Sequence, residues 1–367
     1  MSPQLKAVEQ AGINNLIKKN NPHHIKVDHF FKPVEELKQK FADLIQATDK
    51  DRIALIPAAS YGMAVVANNL DLNKGDNIVL LEEQFPSNYY SWDRLSQETG
   101  AEIRIVKAPN GIHKGQTWNQ AVLNAIDENT RLVSIAHVHW ATGTVYDLKK
   151  IRAISKANGA LLVVDGTQSV GAFSMDVEAF GLDALVCGGY KWLMGPYSLG
   201  LAYFGPTFDN GKPIEENWIN RFHSEDFKSL VNYQPLYRPK AGRYSVGEHS
   251  NFILVPMLNE AIKQLLQWGT DNIQSYCKIL WQSVINDFVD LGCNIEHEDY
   301  RAYHLLGIGL DESFDTEKLK AAFDKNKIFV SFRGDSIRVS THVYNEVEDL
   351  QKLLQCFKLA KRVKTIV

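Results

Sequence analysis

The chain has 367 residues, 45% hydrophobic and 23% charged, enough to bury a sizeable core and longer than most single domains. Its 40 basic and 43 acidic residues give a formal net charge of −3, which argues against the basic footprint of a nucleic-acid binder and favours a small-molecule partner. The stretch MSPQLKAVEQAGINNLIKKN has no apolar targeting core, and no uncharged apolar run reaches the roughly 20 residues of a membrane span. Cys187, Cys277, Cys293 and Cys356 lie too far apart for a CxxC motif, so they read as reduced thiols in a cytoplasmic protein.

In chain order, short β-branched-rich runs alternate with helical patterns: RIALIP before SYGMAVVANNL, NIVLLE before PSNYYSWDRLSQ, and RLVSIAHV before DLKKIRAISKANG. ALLVVD, ALVCGG and LGLAYF follow. This alternation predicts a mostly parallel, helix-covered sheet with ligands at the carboxyl ends of its strands. Beyond residue 250 a long amphipathic pattern, VPMLNEAIKQLLQWGTDNIQSYCKILWQSVINDFVDLG, precedes the strands RAYHLLGIGL, IFVSFRG and SIRVSTHV and a closing helix. The expected organisation is an N-terminal segment over 1–20, a large domain over 21–250 and a small α+β domain over 251–367.

The chemistry gathers at two strand ends. Asp165 directly follows ALLVV, and Lys191 comes just after the next apolar run and two glycines, before Trp192. An ammonium in such a setting is costly to desolvate unless it is paired or used. A carboxylate and a lysine at one pocket suit pyridoxal phosphate: the amine forms a Schiff base, and the acid holds the pyridine nitrogen protonated. An ordinary ion pair would give the same spacing.

The motifs EEQFPSNYYSW, HVHWATGTVYDL, VVDGTQSVGA, DALVCGGYKWLMGPYSLG and SIRVSTHVYN, in this order, resemble the class V aminotransferase family of fold type I pyridoxal-phosphate enzymes. That family also holds cysteine desulfurases, kynureninases and isopenicillin-N epimerase-like proteins. The resemblance implies a mostly parallel seven-stranded sheet with a smaller α+β C-terminal domain, pyridoxal 5'-phosphate as cofactor and a small amino acid as substrate. It also implies a homodimer with a shared active site.

Residue by residue, the resemblance makes Lys191 the Schiff-base lysine, Asp165 the partner of the pyridine nitrogen and Gln168 a donor to the phenolic oxygen. Phe85 falls where an aromatic side chain stacks on the ring. Ser60, Tyr61 and Tyr190 fall near the phosphate, although many relatives carry Thr-Thr-Glu where this chain has Ala59, Ser60 and Tyr61. A strand running into small residues and a helix, as in IPAASYGMAVV, offers free N–H groups and a positive dipole end to an anion. His249 aligns with a segment that reaches the other subunit's phosphate. Arg338 matches the arginine that grips a substrate carboxylate, a role for which Arg333 competes. Trp140 either shapes the substrate pocket or packs beneath the sheet edge.

His23, His24, His29, His137 and His139 lack metal-ligand partners in the sequence, and no metal is expected. Transamination is the leading reaction, with a C–S lyase, an epimerase or a non-catalytic cofactor-binding protein as alternatives. A cysteine desulfurase is disfavoured because KNKIFVSFRGDSIRVS contains no cysteine ahead of Arg338.

Overall fold

A computed structural model describes residues 1–109, 111, 114–334 and 336–362. Seven strands form the main sheet: β1 (Ile53–Ile56), β2 (Asn77–Leu81), β3 (Glu102–Val106), β4 (Thr130–Ala136), β5 (Leu161–Asp165), β6 (Ala184–Gly188) and β7 (Gly200–Phe204). Their order is β1-β7-β6-β5-β4-β2-β3, and all run parallel except β7, which is antiparallel to both neighbours. The strands read as continuous apolar runs because both faces are covered. On β5, Leu162 and Val164 enter one core while Val163 enters the other. Helices α3 (Ala59–Ala67), α4 (Tyr90–Thr99), α5 (Lys114–Asn124) and α6 (Leu148–Ala157) make the crossovers.

Several elements escaped the sequence reading. Edge strand β3 is EIRIV, whose outer residues are half-buried or exposed, so it lacks the apolar signature of its neighbours. Helices α1 (Lys6–Lys18) and α2 (Asp28–Leu44) flank the sheet and pack on α7 (Leu254–Trp268). Val255, Leu258, Ile262 and Leu265 place α7 in the larger core, so that core continues past residue 250.

The long amphipathic pattern after residue 250 is three helices. Gly269, at φ +77°, separates α7 from α8 (Thr270–Gln282), and α9 (Ile285–Asp290) follows a break at Ser283 and Val284. Next come β8 (Asn294–Ile295), β9 (Leu305–Gly309), α10 (Thr316–Asn326), β10 (Ser331–Arg333), β11 (Ser336–Ser340) and α11 (Val347–Ala360). The strands form an antiparallel sheet in the order β10-β11-β9-β8. Ile308, Ile337 and Val339 point into a third core with Trp281, Phe288 and Phe357, so alternation turns Arg338 to the opposite face.

A close backbone contact joins the two sheets where the site forms. Gly307 N–H donates to the Thr142 carbonyl at 3.0 Å, and a Cβ on Gly307 would stand 2.7 Å from that oxygen. Gly143, at φ +76°, would bring a Cβ within 2.3 Å of the Leu305 carbonyl oxygen. Only glycine permits this approach at either position, and it carries the 139–144 turn, with Trp140, up to β11. Among the described residues no helix is long and apolar enough to cross a membrane, and no group of three or more His, Cys, Asp or Glu side chains could hold a metal ion. All four cysteines are free and buried.

Candidate active site

Strands β4, β5 and β6 end together: Ala136 pairs with Asp165, and Asp165 with Val186. Asp165 and Lys191 therefore meet at the carboxyl edge of the sheet, in a cavity of about 340 Å³. The lysine sits on a tightly folded loop. Gly189 N–H donates to the Leu199 carbonyl at 2.9 Å, and a Cβ there would come within 2.4 Å of that oxygen. Met194 and Ser198 both adopt left-handed backbone angles, at φ +54° and +66°, the kind of local strain that collects at functional sites.

The Lys191 amine has no hydrogen bond or ion pair among the described residues; its Nζ lies 5.2 Å from the Phe85 ring centroid and 5.8 Å from that of Tyr190. Burial holds its ammonium below the ordinary lysine range, the charge of Asp165 opposes that shift, and Arg338 reinforces it. Asp165 is buried and accepts the Thr167 N–H through Oδ1 at 2.9 Å. No described group donates to its second oxygen.

Gln168 is also buried in the cavity wall, and two residues without a local sequence signal fix it. Trp192 Nε1 donates to Gln168 Oε1 at 3.0 Å, which leaves the amide nitrogen as the end free to donate into the cavity. His304 Nε2 lies 2.6 Å from the Gln168 carbonyl oxygen, and its Nδ1 lies 2.8 Å from the Gln274 amide nitrogen. Burial depresses the His304 pKa to about 3, so the ring is neutral, with Nε2 donating and Nδ1 accepting. His304 is far from Gln168 in the chain, which is why sequence reasoning missed it.

At the opposite end of the cavity, Ala59 and Ser60 begin α3. Ala58 is extended and gives no side-chain cap; the Tyr61 N–H donates to the Ala58 carbonyl at 3.0 Å, while the N–H groups of Ala59 and Ser60, at the cavity wall, have no described partner. Tyr190 lines the cavity and packs on Tyr197, with centroids 4.7 Å apart. Phe85 and Trp140 meet edge to face at 5.7 Å. Trp140 donates its indole N–H to the Glu83 carbonyl at 2.6 Å, and its own carbonyl accepts from Arg338 Nη1 at 2.9 Å.

The sequence-predicted residues Tyr61 and His249 lie outside the cavity within one protomer. The Tyr61 hydroxyl turns to Glu215, which together with burial raises its pKa. His249 is buried beside the Val246 carbonyl, at 3.1 Å, and lies outside this cavity; burial lowers its pKa to about 3. His137 and His139 are buried and neutral, with pKa values near 4, in aromatic surroundings that include Phe173 and Trp118. None of the four cysteines lines the cavity.

The seven-stranded sheet with one antiparallel strand, and a lysine and an aspartate at its carboxyl edge, define a fold type I pyridoxal-phosphate enzyme. The sequence profile of the family Aminotransferase class-V matches residues 5–353, and the chain belongs to that family. It is 27% identical over 335 residues to an uncharacterized aminotransferase of Schizosaccharomyces pombe, covering 88% of this chain and 81% of the other. A probable cysteine desulfurase of Methanothermobacter thermautotrophicus is 37% identical over 170 residues, 46% of this chain and 41% of that protein. Among solved structures, an apo cysteine desulfurase from Thermococcus onnurineus superposes with a TM-score of 0.83 at 21% identity, covering 98% and 92% of the two chains. A complex of the cystine C–S lyase C-DES gives 0.82 at 19% identity, covering 97% and 94%. Desulfurases thus stand among the similar proteins, and the sequence-based argument against that activity is not supported.

Pyridoxal 5'-phosphate is the cofactor of the family, and the cavity fits it. An unpaired amine, a buried carboxylate with one free oxygen, an aromatic face and an uncapped helix start surround one space.

Proposed function

We propose that the protein is an aminotransferase acting on a small amino acid. The observation that carries this reading is the Lys191 amine: depressed by burial, unpaired among the described residues, and in one cavity with Asp165. Bound pyridoxal phosphate supplies an electron sink that stabilises negative charge at the substrate α-carbon. Asp165 would hold the proton on the ring nitrogen through its free oxygen. Gln168 would donate from its amide nitrogen to the phenolic oxygen, Phe85 would cover one ring face, and Ser60, Tyr190 and the α3 N–H groups would hold the phosphate. Arg338 grips the substrate carboxylate. Lys191, with its lowered proton affinity, would take the proton from the substrate α-carbon; its return to the carbon two atoms away, across the nitrogen, rather than to the α-carbon is what distinguishes amino transfer from epimerisation.

A second reading, a C–S lyase, is favoured by the similarity to desulfurases and to a cystine lyase. With all four thiols buried outside the cavity, such a lyase would release sulfur without an enzyme persulfide. We also propose a cytoplasmic homodimer whose active sites are completed across the interface. Support comes from the exposed apolar side chains Phe222, Val231, Tyr233 and Leu236, which form a surface that a second copy would cover.

The test is an amino-acid panel with keto acid, ammonia and sulfide assayed in parallel. Amino transfer to an added keto acid supports the first reading. Pyruvate with ammonia or a released sulfur species supports the second, and inversion without either product would point to an epimerase. A cofactor that responds to no amino acid would overturn all three in favour of a binding protein.

A further inference from the structure

Arg333 and Arg338 lie on the same face of the small sheet. The register pairs Ser331 with Arg338 and Arg333 with Ser336, so the two arginines are diagonal neighbours, roughly 7–8 Å apart between Cα atoms. Both reach Trp140. Arg338 Nη1 holds its carbonyl at 2.9 Å, while the Arg333 guanidinium carbon stands 5.1 Å from its ring centroid. Trp140 in turn meets Phe85 and lines the cavity of Lys191.

Neither guanidinium has a carboxylate partner among the described residues. Arg333 donates only to the neighbouring Phe332 carbonyl, at 2.9 Å, and the Nε of each arginine is buried without an acceptor. Most of their N–H donors are therefore unused, and burial and then the charge of Arg333 disfavour the Arg338 cation. Two adjacent, half-buried and uncompensated guanidiniums form a receptor for two negative groups. In the proposed reaction Arg338 takes the α-carboxylate, which leaves Arg333 for the other.

We propose that Arg333 is a specificity-determining residue that binds a second anionic group, a carboxylate or sulfinate on the side chain of the substrate, which lies along Trp140 between the two arginines. The inference rests on reading the cavity as an amino-acid site, and it narrows the substrate class to acidic amino acids over neutral ones.

The test uses the full chain with its cofactor bound, titrated by calorimetry with succinate and with propionate. The dicarboxylate is expected to bind at least about tenfold more tightly than the monocarboxylate. Arg333→Gln should bring that ratio close to one, whereas Arg338→Gln should weaken both ligands. Arg333→Lys, which keeps charge without the planar fork, should give a lowered ratio as well and serves if the glutamine variant does not fold. In kinetics, Arg333→Gln should lower kcat/KM for aspartate roughly tenfold more than for alanine. Equal binding of the two acids by the wild type, or a ratio unchanged in both Arg333 variants, would overturn the proposal. If succinate preference depends on Arg333 but no amino acid alters the cofactor's visible absorbance, the anion receptor stands and the aminotransferase reading falls.

Discussion

Lys191 and Asp165 are held by different forces, and their variants separate accordingly. Asp165→Asn keeps the Thr167 contact and the shape of the cavity but cannot hold a proton on the ring nitrogen. It should retain cofactor and lose turnover by roughly a hundredfold or more, the scale of removing one preorganised electrostatic partner. Steady-state kinetics with near-wild-type turnover would contradict the role. Trp192 acts one step removed. Its indole N–H holds Gln168 Oε1, so Trp192→Phe leaves a buried acceptor unpaired and frees the amide to rotate, at about 1–3 kcal/mol. The expected signature is a shifted pH titration of the cofactor's visible band with cofactor still bound. An unchanged titration would show that Gln168 needs no such anchor.

At the level of elements, the contact between the 139–144 turn and β9 sets the position of Trp140. Gly307→Ala drives a Cβ to within 2.7 Å of the Thr142 carbonyl oxygen, an overpacking worth about 1–3 kcal/mol. The variant should show a lower denaturant midpoint and a raised KM for carboxylate substrates; a raised midpoint or unchanged KM would separate the turn from the site. Such long-range contacts mark the limit of what the sequence conveys. Strands β5 and β6 were legible because both faces are buried and their apolar runs are continuous, and Asp165 and Lys191 were legible because they end those runs. Edge strand β3 was not, since one side of EIRIV meets solvent. Nor was His304, whose contact with Gln168 exists only after α8, β9 and the large sheet have packed. Gly269 did not show as a break because the helical periodicity continues on both sides of it.

Across the whole molecule, buried neutral histidines tie stability to pH. His137, His139 and His342 have folded pKa values near 4, and His249 and His304 near 3, against about 6.5 in an unfolded chain. Between roughly pH 6.5 and 4 the unfolded state binds more protons than the folded one, so stability is present above that window and is lost as pH falls through it. Each histidine contributes about 2 kcal/mol of loss by pH 5. Urea midpoints should drop steeply from pH 7.5 to 5, and His137→Leu should flatten the slope; a flat profile in the wild type would refute the assignment. The proposed dimer is tested on the same scale by sedimentation. Tyr233→Asp should weaken self-association, and a fully active monomer would overturn the shared-site reading. The most direct measurement of all is borohydride reduction of the cofactor-loaded protein followed by peptide mapping. The reduced pyridoxyl group is expected on Lys191 and should be lost, with the fold retained, in Lys191→Ala; an adduct on any other lysine would overturn the assignment of Lys191.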